Sequence, residues 1–73
     1  MKNLKYDVTP RLKPLLLEKG YTSQKEFAKM CGLPEPTISR FDSQRRYDIY
    51  TLAVISRTLN VTMDELFSIE EIN

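Results

Sequence analysis

The sequence predicts a small all-α fold built from five short helices. Helix start and stop signals recur along the 73 residues, apolar residues repeat at three- and four-residue spacing, and no stretch alternates as a half-buried strand does. A chain of this length forms one domain. The predicted helices occupy residues 10–19, 24–31, 35–43, 49–59 and 63–68, and a short acidic tail follows at 69–73.

The first two helices have recognisable ends. Thr9 is positioned to cap the first, Pro10 suits its first turn, and Gly20 can end it. Pro14 is expected to make that first turn irregular. Ser23 begins the second helix as part of a capping box. Their buried faces are predicted to carry Val8, Leu12, Leu15 and Leu16 in the first helix, and Phe27, Ala28 and Cys31 in the second.

The third helix begins with two prolines, Pro34 and Pro36. Prolines are tolerated in a first turn because the N–H groups there have no intrahelical partner. Ile38 and Phe41 should point inward. The outward side chains are then Thr37, Ser39, Arg40 and Ser43.

The last two helices are marked by caps and by an apolar stripe. Asp48 is expected to cap the fourth helix and Asn60 can end it, while Thr62 and Glu65 form a second capping box. The stripe of the fourth helix consists of Ile49, Leu52, Ile55 and Leu59.

Composition argues against several classes of protein. The chain has no histidine and a single cysteine, Cys31, which excludes an internal disulfide and disfavours a zinc site. We interpret Cys31 as a small core residue rather than a reactive thiol. No apolar run reaches the roughly 18 residues of a membrane span, and no secretory signal is apparent. We expect a cytoplasmic protein with no cofactor and no membrane partner.

Charge is unevenly distributed along the chain. Residues 1–57 hold all eleven basic residues and six acids, a net charge of +5, whereas residues 58–73 hold four acids and no base. A basic body with an acidic tail suits a polyanionic partner at one end of the molecule, although an ordinary solvated surface would look the same.

The second and third helices are joined by Gly32, Leu33 and at most Pro34. Two short helices on so tight a turn must cross steeply, which is a helix-turn-helix. Ala28 is small where the helices would cross. Ile38 would pack back onto the second helix.

The sequence resembles the lambda-repressor and Cro-like helix-turn-helix domains, also called the XRE type. The resemblance runs from Leu12 to Phe67. It is strongest over Gln24–Leu33 and Thr37–Asp42, and Thr51–Leu52 with Leu59–Phe67 are similar to the family's fourth and fifth helices. It implies a sequence-specific regulator of transcription, a Cro-like repressor of a prophage or mobile element, with double-stranded DNA as its partner.

In such a domain the third helix lies in the major groove with its N-terminal part toward the bases. Arg40 carries a fork that suits a guanine edge or a phosphate. Glu35 could accept from a cytosine amino group or simply favour the helix dipole. The base-contacting residues that the resemblance implies are Glu35, Thr37, Ser39 and Arg40.

Phosphate contacts are implied at the start of the second helix and in the loop after the third. They comprise Gln24, Lys25, Ser43, Arg45 and Arg46. Gln44 stands where the family usually has glycine, so this loop should differ in shape. Tyr47 and Tyr50 could bind phosphates or pack in a core or an interface.

Phe67, Ile69 and Ile72 could seal the monomer core or form a two-fold dimer contact. We favour a homodimer, because a single small module binds one half-site weakly. The alternative function is a protein-interaction module on the same fold, such as an antitoxin-like or anti-repressor partner. An enzyme with a small-molecule substrate is not expected, because nothing in the sequence builds a catalytic site.

Overall fold

The structure, a computed structural model, describes residues 5–72. It contains four α-helices, two short 3-10 helices and a two-stranded antiparallel sheet. In chain order these are β1 (Lys5–Pro10), α1 (Leu12–Glu18), α2 (Gln24–Cys31), α3 (Glu35–Ser39), a 3-10 helix (Phe41–Ser43), α4 (Ile49–Leu59), a second 3-10 helix (Met63–Leu66) and β2 (Phe67–Ile72). The helical helix-turn-helix fold is therefore present, but the expectation of an all-α fold with five α-helices is wrong.

The two strands join the beginning of the described chain to its end. Lys5 lies opposite Ile72 and Pro10 lies opposite Phe67. The sheet replaces the end of the predicted helix 63–68, whose first four residues form a 3-10 helix, and most of the predicted tail 69–73. Residue 73 and residues 1–4 lie outside the described part.

The core lies among the helices and is closed by Leu66 of the second 3-10 helix. The predicted inward residues of α1, α2 and α3 are confirmed as buried, except that Cys31 is half-buried. Val8 and Ile49 were wrongly placed in the core, since they are 51% and 76% exposed. Val8 lies in β1 instead of a helix, and Ile49 is the first residue of α4, where the preceding loop does not cover it.

Three helices end in the same way. The chain turns into the left-handed region at Gly20, Gly32 and Asn60, with φ of 87°, 70° and 59°. After α2, the N–H of Gly32 donates to the Lys29 carbonyl and that of Leu33 donates to the Ala28 carbonyl, at 3.1 and 3.0 Å. These two bonds form a Schellman motif, which satisfies carbonyls that the helix leaves unpaired.

The start of α1 is capped by a distant residue. The predicted helix 10–19 begins two residues late, at Leu12, and Thr9 belongs to β1 and not to a cap. The Asp42 carboxylate accepts from the backbone N–H groups of Leu12 and Lys13 at 2.7 and 2.9 Å. Pro14 thus stands in the first turn, where its missing N–H costs no intrahelical bond.

The predicted helix 35–43 is divided in two. α3 ends at Ser39, and the following residues form a 3-10 turn in which the N–H of Ser43 donates to the Arg40 carbonyl at 3.0 Å. Asp42 is held at α1, and the Tyr47 hydroxyl binds the Phe41 carbonyl. These contacts outside the helix favour the tighter turn over a continued α-helix.

Candidate nucleic-acid interface

The turn between α2 and α3 consists of Gly32, Leu33 and Pro34. Only the backbone conformation requires glycine at residue 32, since a Cβ added there would meet no atom within 4 Å. Leu33 packs on the core, and Pro34 caps α3 from an extended conformation. Buried Ala28 and Ile38 let the two helices pack closely, so the N-terminal turn of α3 is presented on the surface.

The side chains expected to contact bases are mostly exposed. Glu35, Ser39 and Arg40 lie on the surface of α3 and its C-terminal cap, whereas Thr37 is half-buried. Because α3 has five residues, Arg40 lies at its end rather than within a longer helix. Pro36 is exposed beside Glu35, so an apolar ring occupies part of this surface.

Two of these side chains are turned back onto their own helix. The Arg40 Nε and the Ser39 hydroxyl both donate to the Pro36 carbonyl, each at 3.3 Å. The Arg40 bond uses one of its five donors, which leaves the terminal nitrogens of the guanidinium for a ligand. Ser39 uses its single hydrogen, so in this rotamer it can only accept a hydrogen bond.

The start of α2 is also open. Ser23 caps it by accepting from the Glu26 N–H at 3.2 Å, which is one of the two bonds of the expected capping box. Gln24 and Lys25 are the first two residues of the helix, half-buried and exposed respectively. Exposed N–H groups at a helix start attract anions, so both side chains lie where a phosphate would be favoured.

The loop after α3 is held by Tyr47. Its hydroxyl lies within hydrogen-bond reach of the Phe41 and Gln44 carbonyls. Its ring packs on Phe41 and Phe67, with centroid separations of 4.7 and 5.3 Å. Burial raises the pKa of Tyr47, and the nearby Asp42 charge raises it further. The phenol therefore stays neutral and acts as a structural donor rather than a free phosphate ligand.

Gln44 shows why the loop does not need the glycine that is usual in the family. Its backbone is extended, with φ of −100° and ψ of 162°, a region open to any residue. Arg45 and Arg46 follow it and are exposed. The Ser43 hydroxyl donates to the Arg40 carbonyl at 3.0 Å, so it would have to rotate to donate to a phosphate.

Phe67 belongs to the core rather than to an open surface. It is half-buried and its ring lies 5.8 Å from that of Phe41. Ile69 and Ile72 are 47% and 49% exposed, and the alternation of a strand places them on opposite faces of the sheet. The three residues expected at a dimer contact do not form one continuous patch.

Asp42 is a structural neighbour of the candidate interface whose contact sequence reasoning missed. It fixes the segment between α3 and the loop that carries Arg45 and Arg46, here called the arginine loop, against the start of α1. Asp42 lies 30 and 29 residues after Leu12 and Lys13 in the sequence. No local sequence pattern could therefore reveal this cap. Its position inside the resemblance to the family is the only signal in the sequence.

Comparison with known protein families matches residues 11–71 to the Cro/C1-type HTH DNA-binding domain. The matched segment begins just before α1 and ends within β2, so it contains α2, the turn, α3 and the arginine loop. Comparisons with curated proteins and with solved structures found no match. Since the match covers most of the chain and the helix-turn-helix is formed, the chain belongs to the family of Cro/C1-type HTH DNA-binding domains.

Proposed function

We propose that this chain is a sequence-specific transcription regulator, a Cro-like repressor of a prophage or mobile element, which binds double-stranded DNA as a homodimer in the cytoplasm. The observation that carries the proposal is the exposed start of α3, presented by a tight turn and followed, after the 3-10 helix, by the exposed Arg45–Arg46 pair. That arrangement suits a helix directed into the major groove with cations placed for the flanking backbone.

We assign base contacts to Glu35, Thr37, Ser39 and Arg40. Arg40 is the strongest of these, because its terminal nitrogens can bind the O6 and N7 atoms of guanine together. Ser39 can accept from a base amino group without losing its bond to Pro36. Thr37 is half-buried, and we assign its methyl to apolar contact with a thymine methyl.

Phosphate contacts are assigned to Gln24, Lys25, Ser43, Arg45 and Arg46. These side chains flank α3 on both sides along the sequence, as needed to fix the register of a helix in a groove. The acids of β2 would be repelled by DNA, so the sheet should lie away from it.

The experiment that tests this proposal is a titration of the protein with a short duplex at several salt concentrations. Each phosphate contact should contribute about 0.9 to the slope of log affinity against log salt. We expect a steep negative slope. Binding that does not change with salt would contradict the proposal.

A second candidate is an interaction module that binds another protein on the same fold. It is favoured by the exposure of Ile49 (76%) and Tyr50 (64%) at the start of α4, because exposed apolar side chains next to each other suit a protein partner. Salt separates the two candidates, since a mainly apolar interface responds weakly to it. Substituting Ile49 with serine should leave DNA affinity unchanged if the first proposal is right.

A further inference from the structure

A cleft of about 430 Å³ lies between the sheet and the arginine loop, which leaves a loop side chain room to enter it. Residues of β1, among them Asp7 and Thr9, line the cleft together with Gln44 and Arg45 of the loop. Tyr47 also lines it, held in place by its bonds within the loop. The cleft thus brings a carboxylate and a guanidinium that are far apart in the sequence into the same space.

Two carboxylates line the cleft, and they differ in their freedom to bind a cation. Asp42 uses both of its oxygens to accept from backbone N–H groups of α1, at 2.7 and 2.9 Å, so it is fixed at that helix. Asp7 is exposed on β1. Within residues 5–72 the ion pair that forms joins Arg11 to Glu18 and does not involve Asp7. Asp7 is therefore the carboxylate of the cleft that can accept a new partner.

The neighbours of Asp7 on the sheet leave an excess of negative charge. Glu70 lies directly opposite Asp7, and like charges in that position are destabilising. Lys5 shares the face of Asp7, because alternate residues of a strand point to the same side. One cation thus serves two carboxylates, and a second cation would be stabilising. Arg45 is the basic residue that lines the cleft.

The two arginines of the loop are not equivalent in this respect. Both are exposed, but Arg46 is not among the residues that line the cleft. The Arg45 guanidinium is on a long side chain that rotates at little cost, so it can turn either into the cleft or outward to a ligand. In the structure it is not in ion-pair contact with Asp7, so the side chain has to rotate to reach it.

We propose that Asp7 competes with DNA phosphate for Arg45, so that the sheet lowers the affinity of the arginine loop for DNA. This inference rests on the phosphate contact assigned to Arg45 in the proposed function and deepens it. In the free protein the guanidinium turns into the cleft toward Asp7, and DNA has to withdraw it. Because Arg45 is assigned to phosphate and not to bases, Asp7 lowers the affinity for all sequences alike.

The first test is the affinity of the full chain for a preferred and an unrelated duplex, measured by fluorescence anisotropy at low ionic strength. Asp7→Asn should tighten binding to both by about two- to fourfold, as expected for the loss of one exposed ion pair. The change also removes the repulsion from Glu70, so it should not destabilise the fold. Glu71→Gln is the matched control, because it removes the same charge on the other face of the sheet, opposite Tyr6. It should change the affinity little.

A double-mutant cycle separates competition for Arg45 from a general repulsion between Asp7 and DNA. In an Arg45→Ala background, Asp7→Asn should no longer tighten binding. In an Arg46→Ala background, the gain should remain, because Arg46 does not line the cleft. A gain that persists without Arg45 would overturn the inference.

A measurement without DNA tests the contact itself. The Arg45 Nε–H resonance of the free protein should shift in Asp7→Asn and stay in place in Glu71→Gln. An unchanged resonance in both variants would also overturn the inference. A folded protein that binds no duplex would contradict the proposed function, whereas duplex binding with no gain from Asp7→Asn would contradict this inference alone.

Discussion

At the scale of single residues, Asp42 joins the start of α1 to the turn after α3, two segments that lie far apart in the sequence. Its carboxylate binds two N–H groups at the start of α1 while its backbone lies in the 3-10 turn after α3. It therefore caps one helix and positions the segment that leads to the arginine loop. A side chain with both roles should be sensitive to substitution.

Asp42→Ala should lower the free energy of unfolding by about 1–2 kcal/mol, the usual cost of losing a helix cap. Urea unfolding measures this directly. Asp48→Ala is the matched control. The expectation that Asp48 caps α4 is wrong, because its carboxylate accepts from the exposed Thr51 hydroxyl at 3.3 Å and not from a backbone N–H of the helix. Asp48→Ala should cost less than about 0.5 kcal/mol, and equal losses for the two variants would contradict the assigned cap.

Glu65 provides a dependence on pH. Its side chain accepts from the Thr62 N–H at 3.0 Å and completes a capping box. This bond to the Thr62 backbone, and then the one to the Thr62 hydroxyl, lower the pKa of Glu65 from its ordinary value of 4.5. The stabilisation is fully present above that value and is lost as the pH falls through the lowered pKa of the folded state.

Unfolding measured between neutral and acidic pH should therefore show a shallower loss of stability in Glu65→Gln than in the wild type. Glutamine can keep a bond to Thr62 but cannot take up a proton in this range. Parallel pH curves for the two proteins would show that Glu65 titrates as it does in the unfolded chain.

At the scale of elements, α3 and the loop after it have different assigned tasks. Arg40 lies at the end of α3, where it is assigned to bases, and Arg46 lies in the loop, where it is assigned to phosphate. Loss of a base contact relaxes discrimination, whereas loss of a phosphate contact weakens all sequences equally.

Arg46→Ala should weaken binding to every duplex by a similar factor and flatten the salt slope by about 0.9. Arg40→Ala should instead cost about 1–3 kcal/mol on the preferred site and little on unrelated DNA. Fluorescence anisotropy with two duplexes at several salt concentrations measures both. An unchanged slope for the Arg46 variant would remove it from the phosphate contacts.

The helices could be predicted because their signals are local. Ser23 with Glu26, Thr62 with Glu65, and the stop residues Gly32 and Asn60 lie within a few positions of the ends that they mark, so their patterns can be read directly. The prediction for α3 was too long because Asp42 and Tyr47 act on that segment from outside it.

The strands were missed because their pairing joins the two ends of the chain. The expectation that no stretch alternates was wrong at β1, where Tyr6 and Val8 alternate with polar residues in a stretch rich in aromatic and β-branched side chains. β2 reads Phe-Ser-Ile-Glu-Glu-Ile and breaks the alternation. Only its pairing with β1, whose residues lie 57 to 67 positions earlier in the chain, makes it a strand.

At the scale of the whole molecule, the described chain consists of a helical body and a two-stranded sheet. The described part is elongated, 47 Å in its longest extent against 23 and 20 Å. No helix within residues 5–72 has the length and apolar character to cross a membrane. We propose that the helical body contacts DNA and that the sheet, with its acidic strand β2, lies away from it.

The central claim is that the body reads DNA sequence through α3, and selection from a random pool of duplex DNA at near-physiological salt tests it most directly. We predict enrichment of a defined site, an inverted repeat whose half-sites lie about one helical turn, or 34 Å, apart. A folded protein that enriches no sequence above the starting pool would contradict the claim.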